Sequence, residues 1–116
     1  MRYLHGMRAL PISLWPALGE YAARLRAVFG ERLAEVRLFG SFARGEANED
    51  SDVDVLVLVD GLTDLEIGVV AGEVAPLIQK TGLALAPLPM ATERLAELRR
   101  QGRALARELD ADGISV

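Results

Sequence analysis

Apolar residues recur along this chain with two different periods, and the switches between them mark out its elements. From Pro16 to Arg32, the positions Leu18, Tyr21, Ala22, Leu25, Val28 and Phe29 return at helical spacing. Pro16 suits a first helical turn, where its missing N–H costs nothing. Leu33–Phe39 then reads as a strand, with Val36 and Leu38 on one face and Arg37 and Phe39 on the other. A Gly40-Ser41 break follows; Phe42 to Arg44 begins a short helix, and Gly45 to Asp50 reads as a polar, acidic, solvent-exposed loop. Val53–Val59 is apolar at every position but Asp54, the mark of a strand covered by helices on both faces. Asp60-Gly61 turns the chain, with Asp60 in a turn or cap role.

Thr63-Asp64-Leu65-Glu66 is a capping-box pattern, predicting a helix that runs to about Thr81 and stops at Gly82. Pro76 inside it should kink or shorten it. Lys80 falls near its C-terminus, where a cation suits the helix dipole. Residues 83–88 read as a third, shorter strand, and Pro87 puts it at an edge or a strand end. The pattern then predicts one final helix from about Thr92 to Leu109. Leu95, Leu98, Leu105 and Leu109 form its seam, Gly102 fills the gap, and packing on the chain's own sheet is favoured over a partner helix. The fold class is α/β (α+β), a small mixed sheet with helices packed on it. We expect an irregular leader over residues 1–12, one domain over 13–110, and a frayed tail over 111–116.

Composition narrows what such a domain does. With 116 residues, 51% of them hydrophobic, the chain suits one small core rather than a disordered segment. It has no apolar run of membrane-spanning length and no evident secretory signal, so the cytoplasm is the expected compartment. The absence of cysteine removes disulfides, thiolate metal sites and cysteine nucleophiles together. A net charge of −4 argues against nucleic acid as a direct ligand. Arg94, Arg99, Arg100, Arg103 and Arg107 are interleaved with acids and read as a solvated helix face. His5, the single histidine, is assigned no role, and Trp15 and Tyr21 read as packing residues rather than a base-stacking pair.

The candidate chemistry lies between the first two strands. Gly40-Ser41 is followed, after ten residues, by Asp52-Val53-Asp54. On a strand, Asp52 and Asp54 project from one face, with Val53 and Val55 on the other. Adjacent carboxylates repel unless a cation sits between them, commonly a divalent ion with oxygen ligands. Gly40 would let backbone approach a bound phosphate closely, and helical N–H groups after it would point at that phosphate. Arg44 sits where it could reach phosphate oxygens, or equally pair with Asp52 or Asp54 and hold the loop.

Gly40-Ser41-x-Ala43-Arg44-Gly45 with Ser51-Asp52-x-Asp54 resembles the signature of the nucleotidyltransferase superfamily that includes DNA polymerase β, and within it the minimal nucleotidyltransferases. Either string alone is common by chance; the two at fixed separation, flanked by strand patterns, are specific. The resemblance implies a nucleotide site at Gly40, Ser41, Arg44 and Ser51, with Asp52 and Asp54 as catalytic and metal-binding acids. It implies magnesium, in a one- or two-ion site, and ATP or another nucleoside triphosphate. It further implies transfer of AMP to a hydroxyl of a helical HEPN-type partner, with this chain as the antitoxin of a toxin–antitoxin pair. Homo- or hetero-oligomerisation stays open.

One part of the family pattern is missing. A third acid is expected on the next core strand, and residues 83–88 contain no Asp or Glu. Glu73 and Glu93 fall on predicted helices. Three alternatives remain at this point: a nucleotide-binding or binding-only module that has lost transfer, a rerouted acid such as Glu46, Glu49 or Asp50, or a misplaced strand.

Overall fold

The computed structural model describes residues 11–116; His5 and residues 1–10 of the expected leader lie outside the described residues. Helix α1 (Leu14–Phe29) buries Leu14, Ala17, Leu18, Tyr21, Leu25 and Phe29 along one stripe, and a single 3₁₀ turn (Gly30–Arg32) leads out of it. Val28, expected on that stripe, is exposed, as is Trp15, while Tyr21 is fully buried and donates its hydroxyl to the Val70 carbonyl at 2.7 Å. Strand β1 (Leu33–Phe39), short helix α2 (Gly40–Arg44) and strand β2 (Val53–Val59) follow at the expected places. Within the loop after α2, Ala47 is buried and not solvent-exposed as expected.

The capping box at Thr63 forms in full: Glu66 N–H donates to Thr63 Oγ1, and Thr63 N–H donates to Glu66 Oε1 at 3.0 Å. The helix it opens is two helices, α3 (Asp64–Gly72) and α4 (Ala75–Thr81). Pro76 stands in the first turn of α4, where its ring no longer breaks a ladder. Gly82 closes α4 in the left-handed conformation at φ 73°. Strand β3 is Leu85–Ala91, running further than the expected 83–88. The predicted final helix is also split, into α5 (Thr92–Arg100) and α6 (Ala104–Asp112), because Gly102 at φ 64° ends the first rather than filling its seam. Residues 114 and 115, expected to fray, pair with β1 as strand β4 (Ile114–Ser115).

The sheet is four-stranded and mixed, in the order β3-β2-β1-β4. β1 lies antiparallel to both β2 and β4, whereas β2 and β3 are parallel and are joined across one face by α3 and α4. β3 is an edge strand. Pro87 and Pro89, two residues apart, carry no N–H, so its free side lacks donors at those positions.

Alternation along β2 splits the core in two. Val53, Val55, Val57 and Val59 join Val36, Leu38, Tyr21, Leu25, Val70 and Leu77 on one face. Leu56 and Leu58 join Phe39, Met90, Leu95, Leu98, Ala106 and Leu109 on the other. Both faces of β2 are therefore covered, and the last two helices pack on their own sheet. Asp54 shares its face with Leu56 and Leu58, and so with α5 and α6.

Candidate functional site

Register brings the two halves of the motif together. Phe39, the last residue of β1, is paired with Asp54 of β2, so the chain leaves β1 beside the Asp54 carboxylate and turns at once into α2. That turn is made by Gly40 at φ 73°, and a Cβ built there would stand 2.2 Å from Asp54 Oδ2. Glycine is thus required twice, by the dihedral and by the space the acid occupies. Gly45, at φ 73°, ends α2, and Glu46 N–H donates to Ser41 O at 2.9 Å, closing the loop that begins at Ser41.

Asp52 is exposed just ahead of β2, and Asp54 is half-buried within it. Burial raises the Asp54 carboxyl above its ordinary value, the neighbouring charge of Asp52 pushes it further, Glu108 adds to this, and Arg44 opposes it. A carboxylate raised by burial and by the charge of a second acid two residues before it, with the Gly40 backbone close beside it, fits a divalent cation with oxygen ligands. Among the described residues, no three Asp, Glu or His side chains stand together as a ligand set.

Arg44 is placed differently from either expected pairing. Its Nε donates to Glu46 Oε1 at 2.8 Å, and its Nη1 reaches Glu108 Oε1 at 3.3 Å and Asp112 Oδ2 at 3.8 Å. It bolts α6 to α2, next to Asp54 and not in an ion pair with Asp52 or Asp54. Ser51 spends its hydroxyl on the loop, accepting from Asn48 N–H at 2.9 Å. Gly40, Ser41, Arg44, Asp52 and Asp54 are gathered at one end of the β1–β2 pair; Ser51 faces the loop before it.

The extended β3 carries no acid either, so the missing third carboxylate is not a matter of strand boundaries. Glu73 pairs with Arg24 at 3.3 Å, and Glu93 accepts from Gly61 N–H at 3.1 Å, at the far end of β2. Glu108 and Asp112 are the acids that sequence reasoning missed. Glu108 was hidden because a helix running unbroken through Gly102 would point it elsewhere, and Asp112 because it fell in the tail expected to fray. The signal was Gly102 itself, directly after Arg99-Arg100-Gln101, a common way for a helix to end.

Comparison with known proteins identifies the family of this chain. A profile of the nucleotidyltransferase domain matches residues 21–101. A Methanocaldococcus jannaschii protein provisionally named a protein adenylyltransferase is 36% identical over 74 residues, covering 61% of this chain and 50% of that protein. The protein adenylyltransferase MntA of Thermococcus cleftensis is 55% identical over 40 residues, covering 34% of this chain and 38% of the relative. The chain spans about half the length, or less, of the curated relatives it matches. Among solved structures, a toxin–antitoxin complex crystallised with AMP-PNP superposes with a TM-score of 0.54 at 21% identity, covering 83% of this chain and 69% of the other; that likeness shows the fold.

Proposed function

Because this chain belongs to the nucleotidyltransferase domain family, we propose that it transfers AMP from ATP to a hydroxyl of a partner protein. In this reading it is the antitoxin of a pair whose other member is a helical HEPN-type ribonuclease. The observation that carries the reading is the meeting of Gly40 with Asp54 across the β1–β2 register, which joins a phosphate-admitting turn to a metal-competent acid pair. The MntA relative and the toxin–antitoxin neighbour support the choice of acceptor.

In the reaction, an acceptor hydroxyl oxygen attacks the α-phosphorus, a new O–P bond forms as the hydroxyl proton passes to solvent, the bond to the β-phosphate breaks, and pyrophosphate leaves. Asp52 and Asp54 would hold a divalent cation, magnesium in this reading, which would supply positive charge to the phosphates. Gly40 gives the phosphates access to bare backbone, Ser41 offers its hydroxyl beside them, and Arg44 supplies the nearby positive charge. The protein's contribution is positioning, which in this class of chemistry is most of catalysis.

A second reading has a specific observation behind it. With no acid on β3, the chain would bind nucleotide and partner without transferring anything. Incubation with magnesium and ATP radiolabelled at its α-phosphate, with and without a helical partner protein, separates the two. Label on the partner, lost in Asp52→Asn/Asp54→Asn, establishes transfer. A stable complex that takes no label from any of the four nucleotides establishes binding alone.

A further inference from the structure

We propose that α6 guards the nucleotide site: Glu108 and Asp112 occupy the side of the Arg44 guanidinium that a phosphate would take, so nucleotide engages Arg44 only by displacing them. The inference rests on the reading of Gly40–Arg44 as the phosphate-binding turn. It gives two helix acids control over ligand affinity.

Arg44 stands one helical turn after Gly40, about 6 Å along α2 and on the same side of it. A phosphate admitted beside Gly40 is therefore within reach of its long side chain. A guanidinium binds phosphate best through two parallel N–H groups, and it offers two such forks, Nη1 with Nη2 and Nε with Nη2. Neither fork of Arg44 is whole. Its Nε donates to Glu46 Oε1 at 2.8 Å, while its Nη1 donates to Glu108 Oε1 at 3.3 Å and lies 3.8 Å from Asp112 Oδ2. One cation thus faces three carboxylates.

The two forks are not held equally. Glu46 makes the short bond, from a position two residues along the chain. The Nη1 side rests on longer contacts between partly exposed side chains, the sort of pair that contributes little. The Nη1–Nη2 fork is therefore the one that opens to phosphate. Glu108 and Asp112 can leave by side-chain rotation alone, because α6 is anchored elsewhere. Ala106 and Leu109 are buried, Arg37 Nη1 donates to the Leu109 carbonyl at 3.0 Å, and Arg99 Nη2 donates to Asp110 Oδ1 at 2.6 Å. The empty site keeps Arg44 neutralised; the filled site exchanges two weak carboxylate contacts for one fork on phosphate.

The test is calorimetric titration of the intact protein with ATP in magnesium buffer. Wild type is compared with Glu108→Gln/Asp112→Asn, with Arg44→Gln and with the triple variant that combines them, each checked for an unchanged melting profile. Arg44→Gln should weaken ATP binding about tenfold. Glu108→Gln/Asp112→Asn should tighten it at least about threefold, and in the triple variant that gain should vanish. Unchanged or weaker affinity in Glu108→Gln/Asp112→Asn overturns the inference and leaves the site reading standing. An equal gain with and without Arg44 also overturns it, since the two acids would then act only through net charge. Unchanged affinity in Arg44→Gln removes Arg44 from the phosphate site, and the inference with it. Absence of ATP binding in both wild type and Glu108→Gln/Asp112→Asn takes down the nucleotide-site reading itself.

Discussion

Gly40 and Asp54 share one volume: the space a side chain at position 40 would fill is held by Asp54 Oδ2, 2.2 Å from where the Cβ would be. Gly40→Ala must strain the backbone at φ 73° and displace the acid as well. The dihedral alone costs about 1–2 kcal/mol. Chemical denaturation should show at least that loss, and combining it with Asp54→Ala should return only part, since the dihedral strain stays.

The raised Asp54 carboxyl has a stability consequence of definite sign. A group whose folded-state pKa lies above its unfolded value of 3.8 binds its proton more tightly when folded. Its contribution is then full below about pH 4 and is lost as pH rises through the folded value. Asp54→Asn should accordingly melt higher than wild type at neutral pH in metal-free buffer, with the gain vanishing in acid. An unchanged difference across that range would mean that neither burial nor Asp52 burdens this carboxylate.

β1, β2, the motif and the interruption at Pro76 were legible in the sequence; the break at Gly102 and strand β4 were not. β1 and β2 were readable because a buried strand pairs apolar content with alternation, and because Gly40-Ser41 and Asp52-x-Asp54 are short-range chemistry. The split of the last helix was missed because Leu95, Leu98, Leu105 and Leu109 keep helical spacing across Gly102, so periodicity alone cannot see a break that preserves phase. β4 was missed because two residues, Ile114 and Ser115, are too few to show any period. Glu108 was missed as a consequence of both.

α3 tests how far a cap can carry a helix. Of its nine residues, only Val70 is buried, and Leu65 is 89% exposed, so the capping box does much of the work. Thr63→Ala should cost about 1 kcal/mol in denaturant. Glu66, held down to about 2 first by its hydrogen bond with Arg32 and then by Thr63 N–H, contributes stability above its ordinary 4.5. That contribution is lost as pH falls toward 2, so wild type and Glu66→Gln should converge in melting temperature over that interval.

At the other end of the chain, Gly113 lies on the aliphatic part of Arg37, and a Cβ there would stand 2.1 Å from Arg37 Cδ and 2.5 Å from the Leu109 carbonyl. Gly113→Ala should destabilise by about 1–3 kcal/mol, the usual cost of overpacking. Amide hydrogen exchange should locate the damage in residues 104–116 and spare α1.

β4 also bears on the order in which the molecule assembles. Ser115 Oγ bonds Glu35 across 80 residues of sequence, whereas β1 and β2 are joined locally, by α2 and the loop over residues 45–52. Closing so long a loop costs chain entropy before any contact rewards it. The β1–β2 hairpin can therefore form early, with Gly40 and Asp54 already side by side, while the segment bearing Glu108 docks late and is the first to let go.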